Sequence, residues 1–292
     1  VRDEYDALDA EADAVIAQAQ SEIEKIDKVV KADDIPVMAD FENEGIKNLA
    51  EANGTYYAVD GAGKTLYKVD AGKKTLSQVA KAEAAVGNLS FAKSFQGAEL
   101  LLSDGKSFLS YNLKNGEFGK LGAEAEAEFA DFATYGRYVY LLSPSDNQIY
   151  KYQKSASGLG NKTGWLKGAD VSDAISLAID QYIYVLSSGG RIGKYYVGEE
   201  YKDENGNSFA VKQPLDPLAS PTKIHTSTDQ KYIYVLEPSK QRVVIFDKAT
   251  GGFAKQIVSG DFSEAKDFLV DAEEKDMAVL VKNKIVSVRL GE

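Results

Sequence analysis

Tyr182-Ile-Tyr-Val-Leu186 and Tyr232-Ile-Tyr-Val-Leu236 are the same five residues, 50 positions apart. Tyr138-Val-Tyr-Leu-Leu142 repeats the run with two aliphatic exchanges. Weaker copies stand at Tyr56-Tyr-Ala-Val59, Glu99-Leu-Leu-Leu102 and Asp276-Met-Ala-Val-Leu280, so successive starts lie 43, 39, 44, 50 and 44 residues apart. Aromatic and branched side chains in short runs bounded by Gly, Asn, Asp and Ser are the mark of β-strands. A polar turn and a second alternating strand follow each run, at 65–69, 107–111, 148–152, 191–195, 242–246 and 284–288. A third strand often follows a turn with glycine, as at Asn115-Gly116 and Gly251-Gly252, where positive φ is easily adopted. A fainter apolar segment precedes each run, such as Ile175-Ser-Leu-Ala-Ile179 or Phe268-Leu-Val270.

Four strands per unit of about 44 residues, six times over, predict an all-β chain folded as a six-bladed β-propeller of four-stranded blades. The last unit ends at Glu292 with only three strands. Ile35-Pro-Val-Met-Ala39 is apolar and placed to supply the fourth, which would close the ring and cover an open sheet edge. Residues 35–292 are therefore the expected propeller, with 35–40 completing the last blade.

Residues 1–34 differ in kind. From about Asp3 to Lys31 the sequence is rich in Ala, Glu, Asp and Gln, without Gly or Pro, until Pro36 forbids helix. Ala12, Ile16, Ala19, Ile23, Ile26 and Val30 recur with heptad spacing, which predicts one helix with a narrow apolar stripe. Glu24 with Lys28 and Asp27 with Lys31 have the spacing of favourable helical pairs. Two readings of the helix remain open, one packed along the propeller, the other a self-associating stalk from a membrane anchor upstream of Val1.

Composition narrows the function. The 292 residues hold 34 Lys+Arg against 45 Asp+Glu, a net charge of -11. Phosphate backbones call for a basic surplus, so no nucleic-acid partner is expected. With no Cys there is no disulfide, thiol nucleophile or Cys-bound zinc, and one His excludes a two-His metal site. No apolar stretch of about 18 residues reaches membrane-spanning length.

The run Tyr234-Val-Leu-Glu-Pro-Ser-Lys-Gln-Arg-Val-Val-Ile-Phe246-Asp247 resembles the NHL-type propeller repeat, and Tyr140-Leu-Leu-Ser-Pro-Ser-Asp-Asn-Gln-Ile-Tyr150 is a second match. The Asp usual in the turn is replaced by Glu237 or Ser143. The resemblance implies a fold and little about activity. A helix leading into a propeller is also similar to ectodomains of membrane-anchored bacterial signalling proteins, which implies an extracytoplasmic location.

Catalytic motifs are scarce. There is no G-x-S-x-G, P-loop, H-E-x-x-H or repeated Asp box; five Arg are too scattered for a sialidase cluster, and Trp165 is the sole Trp. Asp203-Glu-Asn-Gly-Asn-Ser208 resembles the start of a calcium loop, but the twelfth position is Pro214, so a polar hairpin tip is the plainer reading. Gly189-Gly190-Arg191 reads as a flexible turn and residues 122–129 as an acidic connection between blades. Tyr140, Tyr184 and Tyr234 keep step with the blades as packing residues. His225 reads as a wall residue of the axial channel, with a lone general base as its functional alternative.

In a propeller, the connections between blades and the turns between second and third strands share one face. That face is expected to present Asp60, Asp104, Asp146, Asn147, Asp170, Asp173, Arg191, Glu237 and Lys240, with Ser145 and Lys266 nearby. The expectation is a non-enzymatic binding or sensor propeller that recognises a protein, peptide or glycan there and uses no cofactor. The alternatives are a hydrolase or lactonase with calcium or another divalent cation on axial carboxylates, and a structural scaffold.

Overall fold

The computed structural model describes residues 2–42, 45–83, 86–124, 128–155 and 158–291. Among them six antiparallel sheets stand around one axis. The inner strands of blades 1 to 6 are Ile46–Ala52, Phe91–Phe95, Asp131–Tyr135, Ala174–Ile179, Lys223–His225 and Ala265–Val270. The repeated run forms the second strands: Thr55–Asp60, Glu99–Ser103, Tyr138–Ser143, Ile183–Ser187, Tyr232–Glu237 and Asp276–Val281. The third strands are Thr65–Asp70, Ser107–Asn112, Gln148–Ser155, Ile192–Tyr196, Arg242–Asp247 and Lys284–Arg289. Outer strands are long in blades 1, 2 and 5 but only two residues long in blades 3 and 4.

Blade 6 takes its outer strand, Val37–Asp40, from the start of the propeller. It pairs antiparallel with Lys284–Arg289, setting Val37 against Val286 and Asp40 against Lys284. Pro36 offers its carbonyl to the Ser287 N–H at 2.9 Å, and Ala39 is fully buried. The two ends of the propeller chain thus lock each other into one sheet.

Alternation along each strand sends apolar side chains to both sheet faces, where they meet the neighbouring blade. The buried apolar residues accordingly gather in six clusters, one at each blade interface. Tyr234 and Leu236 pack on Phe268 and Met277 between blades 5 and 6, and Tyr184 and Leu186 on Ile224 and Phe246 between blades 4 and 5. The recurring tyrosines are core residues, as their periodicity implied.

The helix, Arg2–Ile26, ends five residues earlier than its pattern suggested. Lys28 adopts φ +44°, and Val29–Lys31 then runs parallel to Phe253–Val258 as a fifth strand of blade 5. Two features decide this local outcome. The buried Asp27 carboxylate accepts the Leu215 N–H at 2.8 Å, and the β-branched Val29-Val30 pair suits a sheet edge better than a last helical turn. Lys31 instead reaches back to Glu24 at 2.9 Å. The heptad stripe stays uncovered: Ile16, Ile23 and Ile26 are 66, 46 and 63% exposed. No helix among the described residues is long and apolar enough to cross a membrane. Residues 125–127, within the acidic connection, lie outside the described residues.

Candidate functional site

The face shared by blade junctions and second-to-third turns is here termed the junction face; the opposite one, built from first-to-second turns, is the hairpin face. On the junction face the nominated side chains are spent on the fold. Asp104 accepts three backbone N–H groups, from Gly87, Lys106 and Ser107, at 2.7, 2.9 and 2.6 Å. Burial opposes its charge, but those donors outweigh burial and hold the carboxyl below its usual range. Asn147 takes positive φ, and its Oδ1 accepts the Val171 N–H at 2.7 Å, tying the blade 3 turn to the next junction. Asp60 is buried and caps Gly63 at 2.8 Å, while Asp146 accepts the Tyr150 hydroxyl at 3.0 Å.

Asp170 accepts the backbone and hydroxyl of Ser172, which keep its carboxyl low. Arg191 joins Asp173 at 3.1 Å and the Asp170 carbonyl at 3.4 Å. Glu237 is wholly buried. It binds Arg242 through Nε and Nη2 at 2.8 and 2.7 Å, and the Ala219 and Ser220 N–H groups at 2.7 and 2.9 Å. Lys240 bonds Asp216 and the Pro217 carbonyl. Ser145 lies 3.4 Å from Ser143, and Lys266 holds two carbonyls, of Ile46 and Lys282. Asp104, Asn147, Glu237 and Lys266 thereby clamp turns to neighbouring junctions, while Asp60 and Asp146 close their own turns. Asp203 likewise closes its own tip through Asn205 and Asn207, as a polar hairpin tip should.

The axis carries a polar girdle that the sequence reading missed. Asn48, Ala92, Asp131, Ser176, Lys223 and Asp267 occupy one register level of the six inner strands, opposite Val59, Leu102, Leu142, Leu186, Leu236 and Leu280. Asp131 crosses to Ser176 Oγ at 2.7 Å and Leu177 N at 3.2 Å. Ser176 Oγ in turn accepts the Ile224 N–H at 3.4 Å, Lys223 meets Asp267 at 3.3 Å, and Asp267 crosses to Leu49 N at 2.8 Å. Blades 3, 4, 5, 6 and 1 are thus stapled in sequence, and Lys93 of blade 2 stands 3.9 Å from Asp131. Burial disfavours the Lys223 ammonium, yet Asp267 and Asp131 outweigh it and raise its pKa. A short signal was available: a polar residue opens inner strands that otherwise read apolar, as in Asp131-Phe-Ala, Ser176-Leu-Ala and Asp267-Phe-Leu.

The girdle carboxylates bear on the axial metal. A divalent cation needs several free oxygens converging at one point. Asp131 and Asp267 already serve backbone N–H groups and lysines, and no three His, Asp or Glu among the described residues are placed to hold an ion. Asp131 and Asp267 offer no such set of free oxygens as they stand.

On the hairpin side of the girdle the axis opens into a cavity of about 350 Å³. All six inner strands line it, through alanines such as Ala50 and Ala133 and aliphatic residues such as Leu177 and Leu269, with Ser94 and Thr226 among its hydroxyls and Glu51, Lys93 and Asp229 as its charged points. His225 stands in its wall, 5.9 Å from the Phe268 ring and with Nε2 3.3 Å from Gln230 Nε2. Burial and then the nearby Lys93 ammonium push the imidazole down to about 3. It is neutral at ordinary pH and far too weak a base to accept a proton there. The structure therefore favours the wall-residue reading of His225.

No protein-family profile matches the chain, and no curated protein sequence matches it. Solved structures match its shape. A gluconolactonase from Xanthomonas campestris is 13% identical over 88% of this chain and 89% of its own, with a TM-score of 0.61. The PQQ-bound aldose sugar dehydrogenase of Streptomyces coelicolor is 12% identical, over 87% and 96%, with a TM-score of 0.58. A chain of the mitotic checkpoint complex is 13% identical, over 89% and 90%, with a TM-score of 0.61. At such identities the likeness is one of fold alone, and it joins two enzymes and a component of a protein assembly.

Proposed function

We propose that this chain is a non-enzymatic recognition propeller that takes the end of a peptide or glycan chain into its axial cavity on the hairpin face. The carrying observation is the cavity itself. It is built from six strands at once, walled by alanines and larger aliphatic side chains, and dotted with hydroxyls, the Lys93 ammonium and the carboxylates of Glu51 and Asp229. Binding sites are commonly concave and mostly apolar with a few placed polar groups. The junction face, first expected to hold the ligand, has its polar groups committed to clamps. An extracytoplasmic location, with the helix as the lead from a membrane anchor, belongs to the same proposal and rests on the resemblance of helix plus propeller to bacterial ectodomains.

The test is binding to peptide and glycan arrays by the full chain and by Ser94→Tyr, which fills the cavity from a half-buried position. Binding by the former and not the latter supports the reading. Equal binding by both of array probes that carry no acidic sugar overturns it. The gluconolactonase likeness makes a lactonase the rival. Hydrolysis of an aldonolactone that needs added divalent cation and disappears in Asp267→Asn would establish that rival instead.

A further inference from the structure

A second concavity of about 540 Å³ opens on the hairpin face between blades 4 and 5, beside the axial cavity. Its chemistry is unlike the rest of this acidic protein. Three lysines, Lys194, Lys231 and Lys248, face a single carboxylate, Asp180. Lys248 is committed, to Asp180 at 3.0 Å and the Ser227 carbonyl at 2.8 Å. Lys194 is not. The side chain is largely buried, and its ammonium sits among four rings, 4.2 Å from the centroid of Tyr182, 4.5 Å from Tyr201, 5.2 Å from Phe209 and 5.6 Å from Tyr184. No carboxylate, carbonyl or hydroxyl of the described residues hydrogen-bonds it. Ring faces attract a cation but offer no lone pair along its N–H bonds.

A further polar atom goes without a partner in the same lining. Gln230 Oε1 is buried and lacks a hydrogen bond, although Gln230 donates through Nε2 to the Val270 and Asp271 carbonyls at 2.9 and 3.0 Å; Tyr184 Oη is buried in that lining with the Asp180 carboxylate as its neighbour. Buried polar atoms are normally paired, so an orphan beside an unbonded ammonium marks a place where a partner is supplied from outside. A ligand group reaching Gln230 Oε1 displaces no existing bond. The rings supply the remaining feature. Tyr182 contacts Tyr201 edge to face and Tyr196 at a tilt, with centroids 5.2 and 5.3 Å apart, and Tyr196 is largely exposed, so a run of aromatic rings, here called the tyrosine platform, leads from the groove to the surface.

We propose that this groove binds an acidic sugar, whose carboxylate meets Lys194 and whose ring lies on the tyrosine platform. The three needs of the groove select that class. Lys194 calls for an anionic acceptor. Gln230 Oε1 calls for a donor, which a sugar hydroxyl brings and a bare aromatic acid does not. The aromatic faces suit the C–H face of a pyranose. This site shares no residue with the axial cavity and stands whether or not that cavity binds.

The experiment is calorimetric titration of the full chain with sodium D-glucuronate, D-glucose and sodium benzoate. Glucuronate is expected to saturate and to bind at least about tenfold more tightly than either other probe. Lys194→Met should abolish that binding, Tyr201→Ala at the groove mouth should weaken it at least about threefold, and Ser94→Tyr in the axial cavity should leave it unchanged. Should Lys194→Met fail to fold, Tyr201→Ala carries the test alone. No saturation below about 50 mM, equal binding of glucose, tighter binding of benzoate, or full affinity in folded Lys194→Met overturns the assignment.

Discussion

His225 is the only histidine, so its protonation can be followed without overlap. Inside the cavity wall its pKa falls to about 3, against about 6.5 in an unfolded chain. A depressed base means that the unfolded chain takes up a proton the folded chain refuses. Stability is therefore unaffected well above 6.5, declines as pH falls through it, and goes on declining until about 3. At pH 5 the difference amounts to at most about 2 kcal/mol, since water entering the cavity softens it. For a propeller of this size that is a fall in melting temperature of roughly 4 to 8 °C.

The assay has two arms. Urea midpoints of wild type and His225→Gln, measured between about pH 7 and pH 5, should diverge, with the wild type losing stability and the variant nearly flat over that window. The imidazole Cε1–H resonance of the folded wild type should stay at its neutral shift across the same range. A resonance titrating near 6.5, or parallel stability losses in both proteins, would refute the burial argument and reopen His225 as a candidate base.

Other expectations follow from the clamps and the chain ends. Glu237→Ala strands the buried Arg242 and should cost about 3–5 kcal/mol in urea unfolding. Asp104→Ala frees three backbone donors and should cost about 1–3 kcal/mol while leaving glucuronate binding intact, because its role is confined to the junction face. Removing residues 1–26 should leave the melting temperature of the propeller nearly unchanged, since the helix buries almost none of its described side chains. Removing residues 1–40 should lower it sharply or prevent folding, because Ala39 and the edge of blade 6 lose their cover.

The sequence showed the second and third strands of every blade because their signal is local. Tyr232-Ile-Tyr-Val-Leu236 alternates across a sheet and ends at turn residues, which needs no knowledge of distant chain. The ring closure was legible for a similar reason: three strands were left over at one end and an apolar segment at the other. What failed was where two local preferences competed. Val30 continued the heptad of Ile23 and Ile26, yet the same residue suits a strand, and only contact with Gln256 and Ile257 tips the balance.

The site was harder still. Asp104, Asn147 and Glu237 looked like ligand groups because polarity on a turn is visible in sequence, whereas the backbone N–H groups they satisfy are not. The girdle links residues such as Asp131 and Ser176, or Asp267 and Leu49, that meet only when blades close around the axis. Lys194 read as one more polar residue in an alternating strand. Its four-ring cage draws on Tyr182, Tyr184, Tyr201 and Phe209, and the last two come from a connection with no repeat signature.

Free chemistry lies on the hairpin face and structural chemistry on the junction face. A crystal structure of the chain grown with D-glucuronate tests that division most directly. The account predicts a sugar against Tyr182 and Tyr201 with its carboxylate on Lys194, and an empty junction face. A sugar lodged instead among Asp146, Asp170 and Arg191, with the groove unoccupied, would contradict it.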